Sequence, residues 1–201
     1  GVKTPLPPAD GTDMAGAAER VAHVIACRPE ICTLDCGSYN VGEGNLVYIS
    51  TSEQVREGAR LIREYGVKPE LEVFDLGHLD FVVKLIKEGV FDGPVMIQFC
   101  LGVSFGAPAT TAVLQTMVDM VRDYKVIWSA FGVAAMQLPM VAQAALLGGN
   151  VRVGLEDNIW LERNIPATNV ELVNRARTII ESMGGSIMNP DDTRRKLGLA
   201  Q

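Results

Sequence analysis

The stretch from Asn150 to Trp160 reads N-V-R-V-G-L-E-D-N-I-W. Val151, Val153 and Leu155 alternate as in a short strand, and two adjacent carboxylates, Glu156 and Asp157, stand at its carboxyl end. Acids in that position are where a barrel enzyme builds its chemistry. Neighbouring strand residues point to opposite faces, so the two acids take different jobs only if the chain bends there. Arg152 lies five residues before Asp157 and can pair with it after such a bend, which would keep that acid ionised. A capping acid with an ordinary ion pair is the commoner fate of such a trio. Taken alone, that reading prevails.

Further polar residues sit inside apolar runs. Glu72 is flanked by Leu71, Val73 and Phe74, and a carboxylate inside a strand is costly unless paired. In a barrel it would point inward and reach a ligand or an arginine; an inward pair serving structure alone is equally consistent. Asp75 follows on the same run, and His78 at a helix start reads as a hydrogen-bonded loop residue. Thr33 lies in another buried run. Its hydroxyl either bonds a sheet neighbour or holds a substrate oxygen at a barrel mouth. Ser38 and Asn40 follow in the strand-end loop, on the side where barrel sites form, although polar loop residues are mostly turn formers. Gln98 is a buried polar group in need of a partner. The loop Gly102 to Gly106 lacks the G-x-G-x-x-G spacing and its distant acid, though its amides could hold a phosphate or carboxylate.

These residues need elements to hold them. The chain has 201 residues, enough for one domain with a real core. Its net charge of -6 argues against a nucleic-acid surface, which needs clustered Lys and Arg. No apolar run reaches the length of a membrane span. No signal peptide is visible. The four cysteines, Cys27, Cys32, Cys36 and Cys100, match no zinc-finger spacing and read as free thiols in a reducing cytoplasm. The two histidines, His23 and His78, are too few for an imidazole metal site within the chain.

Hydrophobic periodicity predicts a loop over Gly1 to Asp13 and a helix from Met14 to about Cys27, capped by Asp13. Five strands follow, near residues 31, 70, 94, 126 and 151, the last running from Val151 to Leu155. Helices are expected from Thr51 or Ser52 to Tyr65, Leu79 to Lys87, Thr110 to Arg122 and Gln137 to Leu147. Asn169 to Met183 and Pro190 to Leu197 close the chain. Gly37 to Asn40 reads as a loop and Gly77-His78 as a turn. Strands alternating with helices imply βα units, and near-continuous apolar strands imply a covered parallel sheet. A (β/α)8 barrel needs eight strands and roughly 250 residues. Five strands cannot close it, so either the sheet is open or about three βα units lie upstream of Gly1. The second reading is preferred, with residues 1–201 a single domain forming about the last five βα units of a TIM barrel.

Four stretches carry a family resemblance. They are Thr33-Leu-Asp-Cys-Gly37-Ser-Tyr-Asn40, Glu72-Val-Phe-Asp75-Leu-Gly77, Gln98-Phe-Cys-Leu-Gly102-Val and Gly148-Gly-Asn-Val-Arg152-Val-Gly-Leu-Glu156-Asp157-Asn-Ile-Trp160. From about Pro29 onward the chain resembles the β-keto acid cleavage enzymes, whose founding activity is 3-keto-5-aminohexanoate cleavage. The resemblance implies a metal-dependent reaction of a β-keto acid with acetyl-CoA, giving acetoacetate and an acyl-CoA. It implies Glu156 as a ligand to a divalent metal, usually zinc, with the remaining ligands upstream of Gly1. It implies Asp157 and Arg152 as a catalytic dyad and Thr33 as a substrate-binding residue; Ser38, Asn40 and Glu72 are the further substrate-binding candidates. It also implies a homo-oligomer, and the cysteines, charge and hydropathy above lead us to expect a cytoplasmic setting without nucleic-acid or membrane partners. The rival readings are a catalytically incomplete barrel fragment and a different metal-dependent aldolase-type barrel.

Overall fold

The structure is a computed structural model that describes residues 15–43 and 46–199. The expected cap Asp13 and helix start Met14 lie outside these residues. The chain opens with α1 (Ala17–Arg20) and α2 (Ala22–Cys27), divided at Val21, where one continuous helix was expected. β1 (Ile31–Asp35) leads into a hairpin of β2 (Tyr39–Asn40) and β3 (Val47–Tyr48). Then come α3 (Ser52–Glu64), β4 (Lys68–Val73), α4 (Leu76–Lys87), β5 (Val95–Leu101), α5 (Thr111–Val121), β6 (Val126–Gly132), α6 (Gln137–Leu146) and β7 (Asn150–Val151). A second hairpin, β8 (Trp160–Glu162) with β9 (Ile165–Pro166), precedes α7 (Asn169–Ser182) and α8 (Pro190–Leu197). No described helix is long and apolar enough to cross a membrane.

The main sheet has the order β1-β4-β5-β6-β7, and every pair is parallel. Alternation along each strand divides its residues between two faces. On one face Leu71, Val73, Ile97, Phe99, Leu101 and Trp128 pack with Leu79, Val82, Leu114, Met117 and Met140 from the helices. This layer is the main core. On the other face the register sets Thr33 beside Glu70, Asp35 beside Glu72, Glu72 beside Gln98 and Gln98 beside Ser129. That face is polar, and its charged end lies where the strands finish.

Helix starts follow local chemistry. Thr51 and Gln54 form a capping box on α3, as Thr168 and Glu171 do on α7. Thr110 and Asn189 cap α5 and α8 with their side chains. Asp75 caps α4 by accepting the His78 N–H, so His78 lies within the first helical turn and not in a turn before it. The last strand is also shorter than its apolar pattern implies. Gly154 has φ +157°, which takes the chain out of the extended run before Leu155.

His78 joins two strand ends. Its Nδ1 accepts the Phe74 N–H at 3.3 Å, which leaves the proton on Nε2, 3.2 Å from the Ser38 carbonyl. The ring is buried against Gly37, where an added Cβ would meet His78 at 2.1 Å. Gly37→Ala must therefore displace the ring or the loop. The substitution should cost about 1–3 kcal/mol by overpacking. Denaturant unfolding measures the loss; an unchanged midpoint would mean that the contact is easily relieved.

Candidate active site

The carboxyl ends of the strands surround a cavity of about 420 Å³. Thr33, Asp35 and Tyr39 line one side, Glu72 and Phe74 the next, and Phe131, Arg152, Glu156 and Asp157 the far side. Arg152 is its hub. Its Nε and Nη2 donate to both oxygens of Asp157, each at 3.0 Å. Nη1 donates to Glu72 at 2.8 Å, across 80 residues of sequence, and Nη2 also donates to Glu156 at 2.7 Å. The guanidinium stacks over the Phe131 ring, 4.3 Å from its centroid.

The acid turn is held by backbone chemistry. The Gly154 carbonyl accepts from the Asp157 and Asn158 N–H groups and from the Gln137 side-chain amide. Asn169 accepts the Leu155 N–H, and the Asp157 carbonyl accepts the Ala134 N–H at 2.7 Å. The bend separates the two acids. The Asp157 side chain is 6% exposed and that of Glu156 is 82% exposed.

Burial sets the electrostatics. It opposes the charge on Arg152, but Asp157, Glu72 and Glu156 outweigh it and hold the guanidinium charged. Burial also pushes the Asp157 carboxyl up, against the two hydrogen bonds from Arg152. The neighbouring arginine was expected to hold this acid down; desolvation outweighs it. Glu72 is pushed up to about 8 by burial and by the facing Asp35, against the pull of Arg152. Asp35 rises through burial, opposed by hydrogen bonds to Glu72 and Tyr48. Glu70 rises through burial as well, opposed by Arg152 and the Thr33 hydroxyl.

The cavity thus brings together Thr33, Glu72, Arg152, Glu156 and Asp157, which the sequence had singled out. Ser38 and Asn40 do not line it. The Ser38 hydroxyl instead accepts the Ser50 N–H at 2.9 Å, and Asn40 lies exposed in the β2–β3 hairpin. Sequence reasoning passed over Asp35, Glu70, Tyr39 and Tyr48. The signal for the two acids was their spacing of two from residues already named, Thr33 and Glu72, which puts them on the same sheet face. Tyr39 stacks between Phe74 and Tyr48 with centroid distances of 4.1 and 5.2 Å. Among the described residues no three His, Cys, Asp or Glu side chains come together as a metal site. Glu156 is a single exposed carboxylate, already paired with Arg152, so the described residues alone do not fit a metal ion.

A model of the beta-keto acid cleavage enzyme family matches residues 7–199. The chain belongs to that family. It is 47% identical to the 3-dehydrocarnitine:acetyl-CoA trimethylamine transferase of Rhizobium meliloti (strain 1021), over 100% of this chain and 67% of that protein. It is 37% identical to the 3-keto-5-aminohexanoate cleavage enzyme of Fusobacterium nucleatum subsp. nucleatum, over 85% of this chain and 62% of that protein. The binary complex of ObcA with oxaloacetate superposes with a TM-score of 0.74 at 19% identity, covering 86% of this chain and 46% of that one. The likeness shows the fold alone: five parallel βα units of a TIM barrel. The chain spans about two-thirds of these curated members of the beta-keto acid cleavage enzyme family and less than half of the ObcA chain.

The raised Glu72 makes a pH prediction. The folded chain binds more protons than the unfolded chain between the ordinary value of 4.5 and about 8. Stability contributed by this group is complete below that window and is lost as pH rises through it. Glu72→Gln removes the titration. Relative to that variant, the parent should lose stability from about pH 5 to about pH 8, by at most about 1.4 kcal/mol per pH unit. Unfolding curves across this range test it, and parallel slopes for the two proteins would refute it.

Proposed function

We propose that the protein catalyses acyl exchange between a β-keto acid and acetyl-CoA, giving acetoacetate and a new acyl-CoA. The observation that carries this is the Arg152–Asp157 pair at the strand ends, beside Thr33 and Glu72 in one cavity. Asp157 accepts the proton from the carbon between the ketone and the carboxylate. Its burial favours this, because a carboxylate with a raised affinity for protons is the better base. The resulting carbanion attacks the acetyl carbonyl carbon and expels the CoA thiolate. The thiolate then attacks the original ketone carbon, the bond from that carbon to the central carbon breaks to leave the new acyl-CoA, and the acetoacetate carbanion takes the proton back from Asp157. Arg152 orients Asp157 throughout, and the Thr33 hydroxyl hydrogen-bonds a substrate oxygen.

The keto acid in this reading carries a positive charge. Arg152 is paired with Asp157, Glu156 and Glu72, so acids outnumber it even when Glu72 carries its proton, and the relative at 47% identity is named for a trimethylamine transfer. A surplus of carboxylates favours a cation and repels a second carboxylate. Glu156 is proposed as one ligand to a divalent metal whose other donors would lie outside the described residues, which alone do not complete a metal site; such an ion would supply Lewis-acid polarisation of a carbonyl. The free cysteines support a cytoplasmic setting, and Val170 and Val173, exposed on one face of α7, support self-association.

The full protein should prefer a β-keto acid bearing an ammonium group over one bearing a second carboxylate by at least about tenfold in kcat/KM, or 1.4 kcal/mol. A preference for the dicarboxylate would defeat the charge argument. Asp157→Asn should lower kcat by about 10²–10⁴-fold while leaving the melting curve cooperative. Turnover should disappear on chelation and return with zinc; activity indifferent to the chelator would remove the metal from this scheme.

A further inference from the structure

The cavity around Arg152 has room for a small keto acid, about 420 Å³, but not for the nucleotide end of a CoA thioester as well. A second subsite must lie beside it if acetyl-CoA is the co-substrate, a reading on which this inference rests. We propose that the adenine and phosphates of the CoA thioester bind in the cavity of about 460 Å³ between the chain after β6 and the β8–β9 hairpin.

Three observations carry the assignment. The cavity adjoins the catalytic turn: Ala134 in one wall donates its N–H to the Asp157 carbonyl, and Asn158 in the other follows Asp157 directly. Its walls suit a base and a phosphate. Trp160 lines the cavity and is 44% exposed, and aromatic faces stack bases of any identity. Arg163 lines the same cavity with no carboxylate partner among the described residues, because the neighbouring Glu162 is paired with Arg175 at 3.0 Å. The wall is also built in advance. Asn158 donates to the Trp160 carbonyl at 2.6 Å and accepts the Trp160 N–H at 3.0 Å, and the Ala167 N–H closes on the Ile159 carbonyl at 2.9 Å. The two walls come from the loops after adjacent strands, β6 and β7, at the end of the sheet. Loops after the last two strands of a barrel are where phosphates commonly gather.

Turnover of the full protein is measured with acetyl-CoA and with acetyl-pantetheine, which lacks the nucleotide. Arg163→Ala and Trp160→Ala should each raise the KM for acetyl-CoA about tenfold, more than the KM for the keto acid. That penalty should vanish with acetyl-pantetheine. Arg177→Ala, whose partner Glu181 lies on the same helix away from the cavity, should show no such effect. Adenosine 3',5'-bisphosphate should quench the fluorescence of the parent protein and leave that of Trp160→Phe, which retains the buried Trp128, unchanged. Equal KM values for parent and variants, with no quenching, overturn the assignment. A change in oligomeric state without a selective rise in KM also overturns it and gives the cavity to a second copy of the chain. If the parent turns over no acetyl-CoA, the underlying functional reading fails, and the quenching result still decides the cavity.

Discussion

One guanidinium shared among three carboxylates holds the working end of the sheet together. Arg152 takes both oxygens of Asp157 in a planar fork, leaves a donor for Glu72 and another for Glu156. Only arginine offers so many donors in a fixed plane. The arrangement links the last strand of the sheet to β4, which enters the sheet three strands away. It also places charge where water is scarce. Breaking one arm of such a buried pair leaves a carboxylate uncompensated, which is why the cluster behaves as a unit.

The sheet beneath it has two unlike faces. The helix-covered face is filled by Leu71, Ile97, Phe99, Met117 and Met140, all essentially without solvent contact. The opposite face carries Thr33, Glu70, Asp35, Glu72, Gln98 and Ser129 in register. The apolar layer provides the stability that lets the polar layer exist. Burial on that face raises both Glu72 and Asp35, and the facing Asp35 raises Glu72 further, so both hold protons more tightly than free side chains do. A site of this kind is built to respond to charge, from a substrate, a metal or a proton.

Precision at the strand ends comes from backbone acceptors more than from side-chain packing. The Gly154 carbonyl gathers three donors and fixes the acid turn. His78 reads the Phe74 amide and the Ser38 carbonyl with its two ring nitrogens and ties the β1 loop to the end of β4. Tyr39 and Phe74 consequently stack as one wall of the cavity. These contacts make few demands on side-chain type beyond glycine, glutamine and histidine at single positions.

The sequence by itself determined five alternating strand and helix units, the capped helix starts and the acid pair with its arginine. Each of these depends on periodicity or on neighbours within a few residues. Thr51, Thr110 and Pro190 announce their helices, and Asp157 lies close enough to Arg152 for the pairing to be read directly. Tertiary structure alone decided that Glu72 completes the cluster from 80 residues away and that Asp35 faces it. It also turned the Ser38 hydroxyl towards the Ser50 amide and cut the last strand short at Val151. The direction of the Asp157 shift belongs to the same class, because desolvation depends on every atom packed around the carboxyl. Local pattern specifies which face a residue takes; only the register between distant strands specifies what it meets there.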